Sequence, residues 1–385
     1  MKKKIPNQNE GIYSVSAAQF AAPALPVIKE YNNKEYVYYG IDNLYPQKLI
    51  EMLNGSAMHN TCKEAVASGI FGEGIELIGE EYINSQGETI DDIFEKIALD
   101  YTIYSGYSVN VIWNKESTRI SEIYHLPFAN VRSGKKNDED EVEEYYYSSD
   151  WSNLRKNKQV AYKAFDQLDS KGENASQIFY FMNYTPGQEV YPLPSYVSAS
   201  NDIILDNKVS RFHVNNISNG LAPSLFISMR NGIPDPESRR KVYEEIQETY
   251  AGEESAGRFF LSFSDPDTAP EITPIEAANS DFYITLEERI TSRILTSWRI
   301  TSPLLLGIRD SSGFSSNAEE IRVSYMHFEG TVIEPKRKKI TSSFGYILKL
   351  AGYNVKIEVK PNRILEDVAA GNPDDLASPN IEINE

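Results

Sequence analysis

The residues best suited to bind a metal or to act as a nucleophile are four histidines and one cysteine. The histidines, His59, His125, His213 and His327, lie far apart and lack the H-x-x-x-H or H-E-x-x-H spacing of a metal site. We therefore interpret each as a surface or hydrogen-bonded core histidine rather than as a ligand. Cys62 lies in an alanine-rich helical pattern, where packing as a small apolar residue is the better interpretation.

A pair of aspartates offers a second kind of chemistry. The segment SDPDTAP places Asp265 and Asp267 two positions apart, and paired carboxylates can do acid–base work. Because prolines separate and flank them, a turn is favoured over a catalytic pair. The chain also has no G-x-x-x-x-G-K-[ST] loop, no G-x-G-x-x-G after a strand and no G-x-S-x-G elbow. The sequence therefore does not predict an enzyme, a cofactor or a metal site.

Two dense charge runs each allow two interpretations. The run KKNDEDEVEEYYYSSD, residues 135–150, could be a calcium loop, but the required glycine and spacing are absent. A solvated hairpin tip followed by a strand is favoured. The run PKRKK, residues 335–339, is either a solvated helix face or a contact for phosphate. Its candidate phosphate-binding residues are Lys336, Arg337, Lys338 and Lys339.

Composition narrows the class of protein. The 385 residues suggest two to three domains, or one elongated chain with subdomains. A net charge of −18 argues against a simple DNA binder that presents basic patches. Such a charge still suits a protein past which DNA must slide. The 25 tyrosines fit half-solvated interfaces. With one cysteine, no apolar run near 20 residues and no apolar signal region, we expect a cytosolic protein or a particle component.

Hydrophobic periodicity predicts the elements of the first half. Residues 1–35 have the composition of a flexible arm. The segment from Tyr45 to Ile70 predicts two helical pieces that break near Asn54 and Gly55. An amphipathic helix follows, and alternating segments up to about residue 188 predict a β-layer under these helices. The apolar face of that amphipathic helix comprises Ile90, Ile93, Ile97 and Tyr101.

The second half contains three long helical patterns. The first runs from Tyr191 to Gly220 and the second from Ser280 to about Ser302. A β-α-β-β module, with Asp235 as the N-cap of its helix, lies between them. The third helix runs from Asn317 to about Leu350, and Pro335 must kink or interrupt it. The second helix carries one apolar stripe, Tyr283, Leu286, Ile290, Ile294 and Trp298.

This order of elements resembles the portal proteins of tailed double-stranded DNA bacteriophages, over roughly residues 36 to 365. YYGIDNLYPQKLIEML with GIFGEG is similar to the start of the portal wing. YSGYSVNVIWN with ISEIYHLPFANVRSG is similar to the strand-rich run, ending in P-x-x-x-V-R from Pro127 to Arg132. YPLPSYVSASNDIILDN resembles the Y-G-x-P start of the first stem helix, with Pro192 where the family often has glycine. NGLAPSLFISM resembles the family's N-G-x-x-P segment, which leaves the first stem helix. WRITSPLLLG resembles the family's V-P-x-x-L-L-G element after the second stem helix, with Ser302 in place of valine and one residue fewer before Leu-Leu-Gly.

The resemblance implies an α+β portal fold and a structural role. Twelve subunits would form a ring at one capsid vertex of the virion, assembled in the cytoplasm of a bacterial host. Double-stranded DNA would pass through it non-specifically during packaging and ejection. The partners would be other copies of the chain, the terminase large subunit, a head–tail adaptor, the major capsid protein and a scaffold. No cofactor and no membrane is implied.

Carried over to this sequence, the resemblance divides the chain into portal regions. Residues 36–190 are the wing, 191–220 the first stem helix, 221–276 the clip and 277–303 the second stem helix, which uses the apolar stripe for stem packing. Residues 304–317 form the tunnel loop region, 318–365 the long kinked helix and a terminal wing strand, and 366–385 a disordered acidic tail. The crown of larger portals is reduced or absent.

Two sets of residues would contact partners. In the clip these are Arg239, Arg240 and Tyr243. In the tunnel loop, small flexible residues would reach the DNA, with Phe314 as a bulky tip and Arg309 on phosphate or paired with Asp310. The loop residues are Arg309, Asp310, Ser311, Ser312, Gly313, Phe314, Ser315, Ser316 and Asn317. An ordinary helix–helix connection is the alternative for this loop.

Three functions stay open from the sequence. The first is a portal ring that conducts DNA. The second is a head–tail adaptor or minor capsid protein that binds partners without conducting DNA. The third is a hydrolase that uses Asp265 and Asp267. An oligomer with an axial hole would select the first, and a chain that stays monomeric beside its partners would favour the second.

Overall fold

The computed structural model describes residues 26, 28–75, 82–218, 225–229, 235–238, 240, 241, 244, 259–263, 271–274, 280–308, 318–353 and 359. Its fold class is α+β, as predicted. The helices are α1 Tyr45–Gly55, α2 Ala57–Phe71, α3 Ile90–Tyr104, α4 Ser200–Ser218, α5 Ser280–Trp298, α6 Ala318–Phe328 and α7 Glu334–Leu350. Short 3₁₀ helices span Phe128–Asn130, Gly172–Ala175, Ser195–Ala199 and Pro303–Leu306.

The strands among the described residues form three sheets. A mixed six-stranded sheet has the order β4-β3-β8-β7-β6-β5, in which only the pair β7 and β8 is parallel. Its strands are β3 Gly106–Trp113, β4 Ile120–Leu126, β5 Val131–Ser133, β6 Glu144–Tyr147, β7 Val160–Ala164 and β8 Ser176–Met182. Strands β1 Ile28–Lys29 and β2 Tyr38–Tyr39 form a small antiparallel pair. Helix α3 packs on β3, so the predicted β-layer under the first helices is confirmed.

Local capping explains where the first helices begin. The Oγ of Ser56 accepts a hydrogen bond from the His59 amide at 3.1 Å, which starts α2 directly after the predicted break. Helix α3 begins with a capping box: the Thr89 hydroxyl accepts from the Asp92 amide at 3.2 Å, and the Asp92 carboxylate accepts from the Thr89 amide at 2.8 Å. The predicted apolar face of α3 lies in the core.

The charge run at residues 135–150 forms a hairpin tip, as favoured above. Its side-chain anchor is Asn137, whose Oδ1 accepts from the amides of Glu139 and Glu141, both at 2.9 Å. Lys136 pairs with Val142 in an antiparallel bridge, and β6 follows.

The module between the long helices has the predicted β-α-β-β order within its described residues. Strands β9 Leu225–Met229, β10 Phe259–Phe263 and β11 Glu271–Pro274 form a sheet of order β10-β9-β11. Because β9 and β10 are parallel, a crossover must connect them. Its helix starts at Asp235, whose Oδ1 accepts from the amides of Glu237 and Ser238 at 3.0 and 3.1 Å. The predicted N-cap is confirmed.

Helix α5 ends at Trp298, four residues before the predicted end. Arg299 adopts a left-handed conformation with φ of 60°, and the Ile300 amide donates to the Leu295 carbonyl at 3.0 Å. This is a Schellman-type ending, which glycine usually provides. Because an arginine holds the position here, the sequence carried no signal for it.

The last long helix is interrupted directly before Pro335, as predicted. A π-helical segment, Glu329–Ile333, separates α6 from α7. Proline lacks an N–H group and clashes with the preceding turn, and a wider turn accommodates it without ending the helix. After α7, Val359 forms an antiparallel bridge with Ile75, which places part of the predicted terminal strand. Residues 366–385 lie outside the described residues.

The apolar stripe of α5 provides a stability test. Ile290 is 2% exposed, so Ile290→Asp should lower the free energy of unfolding by at least about 3 kcal/mol, because a buried carboxylate has no compensating partner. Ile284 lies on the same helix but is 56% exposed, so Ile284→Asp should change it by less than about 0.5 kcal/mol. Urea unfolding followed by circular dichroism measures both. Equal, small losses would mean that the stripe does not pack in the core.

Candidate functional site

Three of the sequence segments that carry the resemblance meet at one buried arginine. Arg132, the last residue of the P-x-x-x-V-R element, is fully buried. Its Nε donates to Asn43 Oδ1 at 2.6 Å and its Nη2 to the Asn43 carbonyl at 2.7 Å. Its Nη1 donates to the carbonyls of Ala129 and Val131, both at 2.8 Å. The guanidinium thus joins the segment before α1 to the turn before β5.

Two stacked tyrosines extend this contact to the segment that precedes α4. The rings of Tyr39 and Tyr191 lie 4.0 Å apart and nearly parallel. The Tyr39 hydroxyl donates to the Pro192 carbonyl at 2.6 Å, and the Tyr191 hydroxyl donates to the Val37 carbonyl at 2.5 Å. The Ser133 amide donates to the Tyr191 hydroxyl at 3.0 Å. We call Tyr39, Asn43, Arg132 and Tyr191 the arginine cluster.

The electrostatics of the arginine cluster are those of a buried cation held by neutral groups. All four acceptors of Arg132 are uncharged oxygens, and its guanidinium also lies 4.8 Å from the centre of the Trp151 ring. Burial lowers the pKa of Arg132 to about 10, so the group stays protonated at neutral pH. Burial also raises the pKa of Tyr39 and of Tyr191. The cluster has no titration near pH 7 and is structural.

The sequence did not assign this role to these residues. Asn43 supplies two oxygens from a left-handed conformation with φ of 63°, which asparagine tolerates better than most residues. Arginine is rarely buried without a carboxylate partner, so the position of Arg132 in the sequence did not predict that it would be buried. The expected use of tyrosine at half-solvated surfaces is wrong for nine buried residues: Tyr36, Tyr39, Tyr45, Tyr101, Tyr104, Tyr107, Tyr146, Tyr191 and Tyr196.

The predicted stem-packing stripe lies against the chain's own body along half of its length. Ile290, Ile294 and Trp298 are buried, and α5 contacts α2, α4 and the 3₁₀ turn Ser195–Ala199. Leu286 is half-buried against the same core. Tyr283 stacks on Phe212 of α4, with ring centres 5.3 Å apart. We call the antiparallel pair α4 and α5 the helical hairpin. That these helices pack against those of neighbouring subunits stays a prediction.

The base of the helical hairpin is fixed by a buried histidine. The Trp298 indole N–H donates to Nδ1 of His59 at 2.9 Å, and Tyr196 stacks on Trp298 at 4.9 Å. Burial and the nearby Lys63 lower the pKa of His59 to about 4, so the ring is neutral and can accept this bond. The interpretation of His59 as a hydrogen-bonded core histidine is confirmed.

The other histidines and the cysteine also occupy separate environments. His125 lies 2.8 Å from Asp100, His213 lies 3.1 Å from Glu287, and His327 is exposed on α6. Cys62 is completely buried, and burial raises the pKa of its thiol to about 12, which fits the predicted packing role. Asp265 and Asp267 lie outside the described residues.

The basic run on α7 is divided between structural and exposed positions. Arg337 donates to the carbonyls of Gly69 and Ile70 near the end of α2 and pairs with Glu329 at 2.8 Å. It therefore caps α2 and is not available to phosphate, which corrects the prediction for this residue. Lys338 is exposed, and Lys339 bonds to the Asn183 side chain at 2.5 Å. Lys336 lies over the Tyr101 ring at 5.9 Å, and burial lowers its pKa to about 8.

The predicted partner-binding residues lie mostly outside the described residues. In the clip, Arg240 is exposed and pairs with Glu244 at 3.4 Å, whereas Arg239 and Tyr243 lie outside the described residues. The whole predicted tunnel loop, residues 309–317, is also outside. Its two ends are described: the turn Pro303–Leu306, capped by Ser302, packs against α6 as well as α2.

Comparison with solved structures identifies the fold. A chain in the virion of the native gene transfer agent (GTA) particle is 16% identical, with a TM-score of 0.54 over 86% of this chain and 89% of that one. A chain in the neck of the native GTA particle, computed with C12 symmetry, is also 16% identical, with a TM-score of 0.52 over 86% and 88%. The chain has the fold of these proteins.

Other comparisons add less. An HK97-family phage portal protein from Corynebacterium diphtheriae is 11% identical, with a TM-score of 0.47 over 77% of this chain and 88% of that one. The chain matches no protein-family model and none of the curated proteins. None of the helices in the described part of the chain is long and apolar enough to cross a bilayer.

Removal of the central cation should destabilise the protein strongly. Arg132→Met should lower the free energy of unfolding by about 3 kcal/mol, because four buried oxygens each lose one hydrogen-bond donor. Arg132→Lys should lose nearly as much, because an ammonium cannot reach the same acceptors in a fixed plane. Arg155, exposed in a turn, is the control: Arg155→Met should be neutral. If Arg132→Met were as stable as the wild type in urea unfolding, the structural role of Arg132 would be contradicted.

The buried histidine predicts a dependence of stability on pH. Because the folded-state pKa of His59 is below its ordinary value of about 6.5, the unfolded chain binds the proton more strongly. Stability should therefore fall as the pH decreases below 6.5, by about 2 kcal/mol between pH 7 and pH 5 from this group. His59→Gln should have a shallower pH dependence over that range than the wild type, in parallel urea titrations. Equal slopes would mean that His59 is protonated in the folded protein.

Proposed function

We propose that this chain is a portal protein, the subunit of a ring at one capsid vertex through which double-stranded DNA is packaged and ejected. The observation that carries the proposal is its fold, shared over 86% of the chain with a chain from the neck of the native GTA particle, a neck computed with C12 symmetry. The five portal-like sequence motifs support it independently, since three of them meet at the arginine cluster. The proposed ring contains twelve copies.

The helical hairpin and the elements beside it support the division into portal regions. We assign residues 36–190 to the wing, the hairpin helices to the stem, and residues 221–276, with Arg239, Arg240 and Tyr243, to a clip that binds terminase and then a head–tail adaptor. The 310–316 loop, which lies in sequence between the turn Pro303–Leu306 and α6, is assigned to the tunnel. The role is structural and requires no cofactor.

The charge of the chain suits a DNA conduit. A net charge of −18 per subunit repels the phosphate backbone and limits non-specific adhesion in the channel. Lys338 and Lys339, with Lys336, are the remaining candidates for phosphate contacts, since Arg337 is engaged by α2. The protein is proposed to reside in the virion after assembly in the bacterial host cytoplasm, in contact with the major capsid protein and a scaffold.

Particle assembly without this chain separates the portal from a non-conducting adaptor. A conduit is needed before DNA enters, so particles assembled without the chain should be empty. An adaptor acts after filling, so its loss should leave particles that have packaged DNA but lack tails. Electron microscopy and DNA quantification of purified particles measure the difference. Filled particles in the absence of this chain would contradict the proposed function.

The loop assignment has its own test. Replacement of residues 310–316 by a short rigid connection should leave ring assembly intact but reduce packaged or retained DNA, because the predicted DNA-facing residues are lost. Phe314→Ser, which keeps the loop length, tests the bulky tip separately. Normally filled particles from the replacement variant would contradict the tunnel assignment.

A further inference from the structure

The outer half of the helical hairpin exposes an apolar side chain on each of its two helices. Val214 on α4 is 61% exposed and Ile284 on α5 is 56% exposed. In the inner half, by contrast, Ile203 and Ile294 are buried. The apolar side chains of the hairpin are therefore buried near the body and exposed farther out, where a neighbouring copy could cover them.

Each of these apolar residues shares a helix face with a charge, and the charges have opposite signs. Arg211 precedes Val214 by three positions on α4, and Glu288 follows Ile284 by four positions on α5. Both charged side chains are exposed, and neither has an ion-pair partner among the described residues. We call these the α4 face and the α5 face.

The two faces point away from the contact between the helices. That contact uses Phe212 with Tyr283, and His213 with Glu287 at 3.1 Å, while Asp202 pairs with Arg293 at 3.2 Å nearer the body. These pairs fix the relative height of the two antiparallel helices. The same pairs place Arg211 and Glu288 at nearly the same position along the axis of the hairpin.

We propose that the α4 face of one copy packs on the α5 face of the next copy around the ring, with Arg211 paired to Glu288 of the neighbour. Rotation about an axis along the hairpin preserves height, so Arg211 and Glu288 of adjacent copies meet at one level. Two different, complementary faces produce a heterologous contact that can close into a ring. Either face packed on itself would bring like charges together.

This inference rests on the proposed ring and names the surface that builds it. The predicted stem stripe of Ile290, Ile294 and Trp298 serves the chain's own core, so it cannot be that surface. Because the same contact repeats at every interface, a modest change at one pair is multiplied around the ring.

A charge swap tests the pairing. Arg211→Glu and Glu288→Arg should each raise the subunit concentration needed for rings by at least about tenfold, since attraction becomes repulsion. The double variant should return to within about twofold of wild type. Arg155→Glu, with the same change of charge at an exposed turn, should assemble normally. Native mass spectrometry over a concentration series measures assembly, and circular dichroism verifies folding.

The outcomes separate the two proposals. If the wild type forms no ring at any concentration, also in the presence of its capsid and adaptor partners, the proposed function fails. If the wild type forms rings and Arg211→Glu forms them equally well, the interface assignment fails while the ring stands. If both single variants lose rings and the double variant does not regain them, the direct pairing of these two residues is wrong.

Discussion

The fold depends on one buried, charged guanidinium that donates four hydrogen bonds to neutral oxygens. Arg132 has no carboxylate among its hydrogen-bond partners, so its burial is tolerable only while the Asn43 and 129–131 oxygens stay in place. Tyr39 and Tyr191 then connect the same cluster to the peptide that enters α4. The direction of the helical hairpin is therefore set by a polar network as well as by apolar packing. Such a network specifies one arrangement more sharply than apolar contacts do.

The burial of apolar side chains on the helical hairpin changes along its length. This difference lets the inner half stabilise the subunit and the outer half contact a neighbouring copy in the proposed ring. Near the body, Ile294 and Trp298 bury the inner half against the chain's own core. Farther out, two helices alone cannot cover their own apolar side chains, and Val214 and Ile284 stay exposed. A subunit can thus fold before it assembles, and its outer half becomes buried only in the proposed ring. The large negative charge of the chain limits association through incorrect surfaces.

Much of the fold followed from periodicity, because long apolar stripes and local caps act within a few residues of sequence. Asp235, the break before α2 and the interruption before Pro335 were all predictable for that reason. The end of α5 was not, since Arg299 adopts a conformation that usually signals glycine. Arg337 looked like part of a basic surface because only tertiary structure brings the end of α2 to it. Arg132 and Asn43 share no local pattern, and no periodicity could pair positions so distant in sequence.

The central claim is that the chain builds a closed ring with an axial channel, and the mass of the purified assembly tests it most directly. Twelve copies of 43.6 kDa give about 523 kDa. Native mass spectrometry with electron microscopy of the same sample should give that mass and a ring with a central hole. A 43.6 kDa monomer at every concentration, also in the presence of its capsid and adaptor partners, would contradict the account.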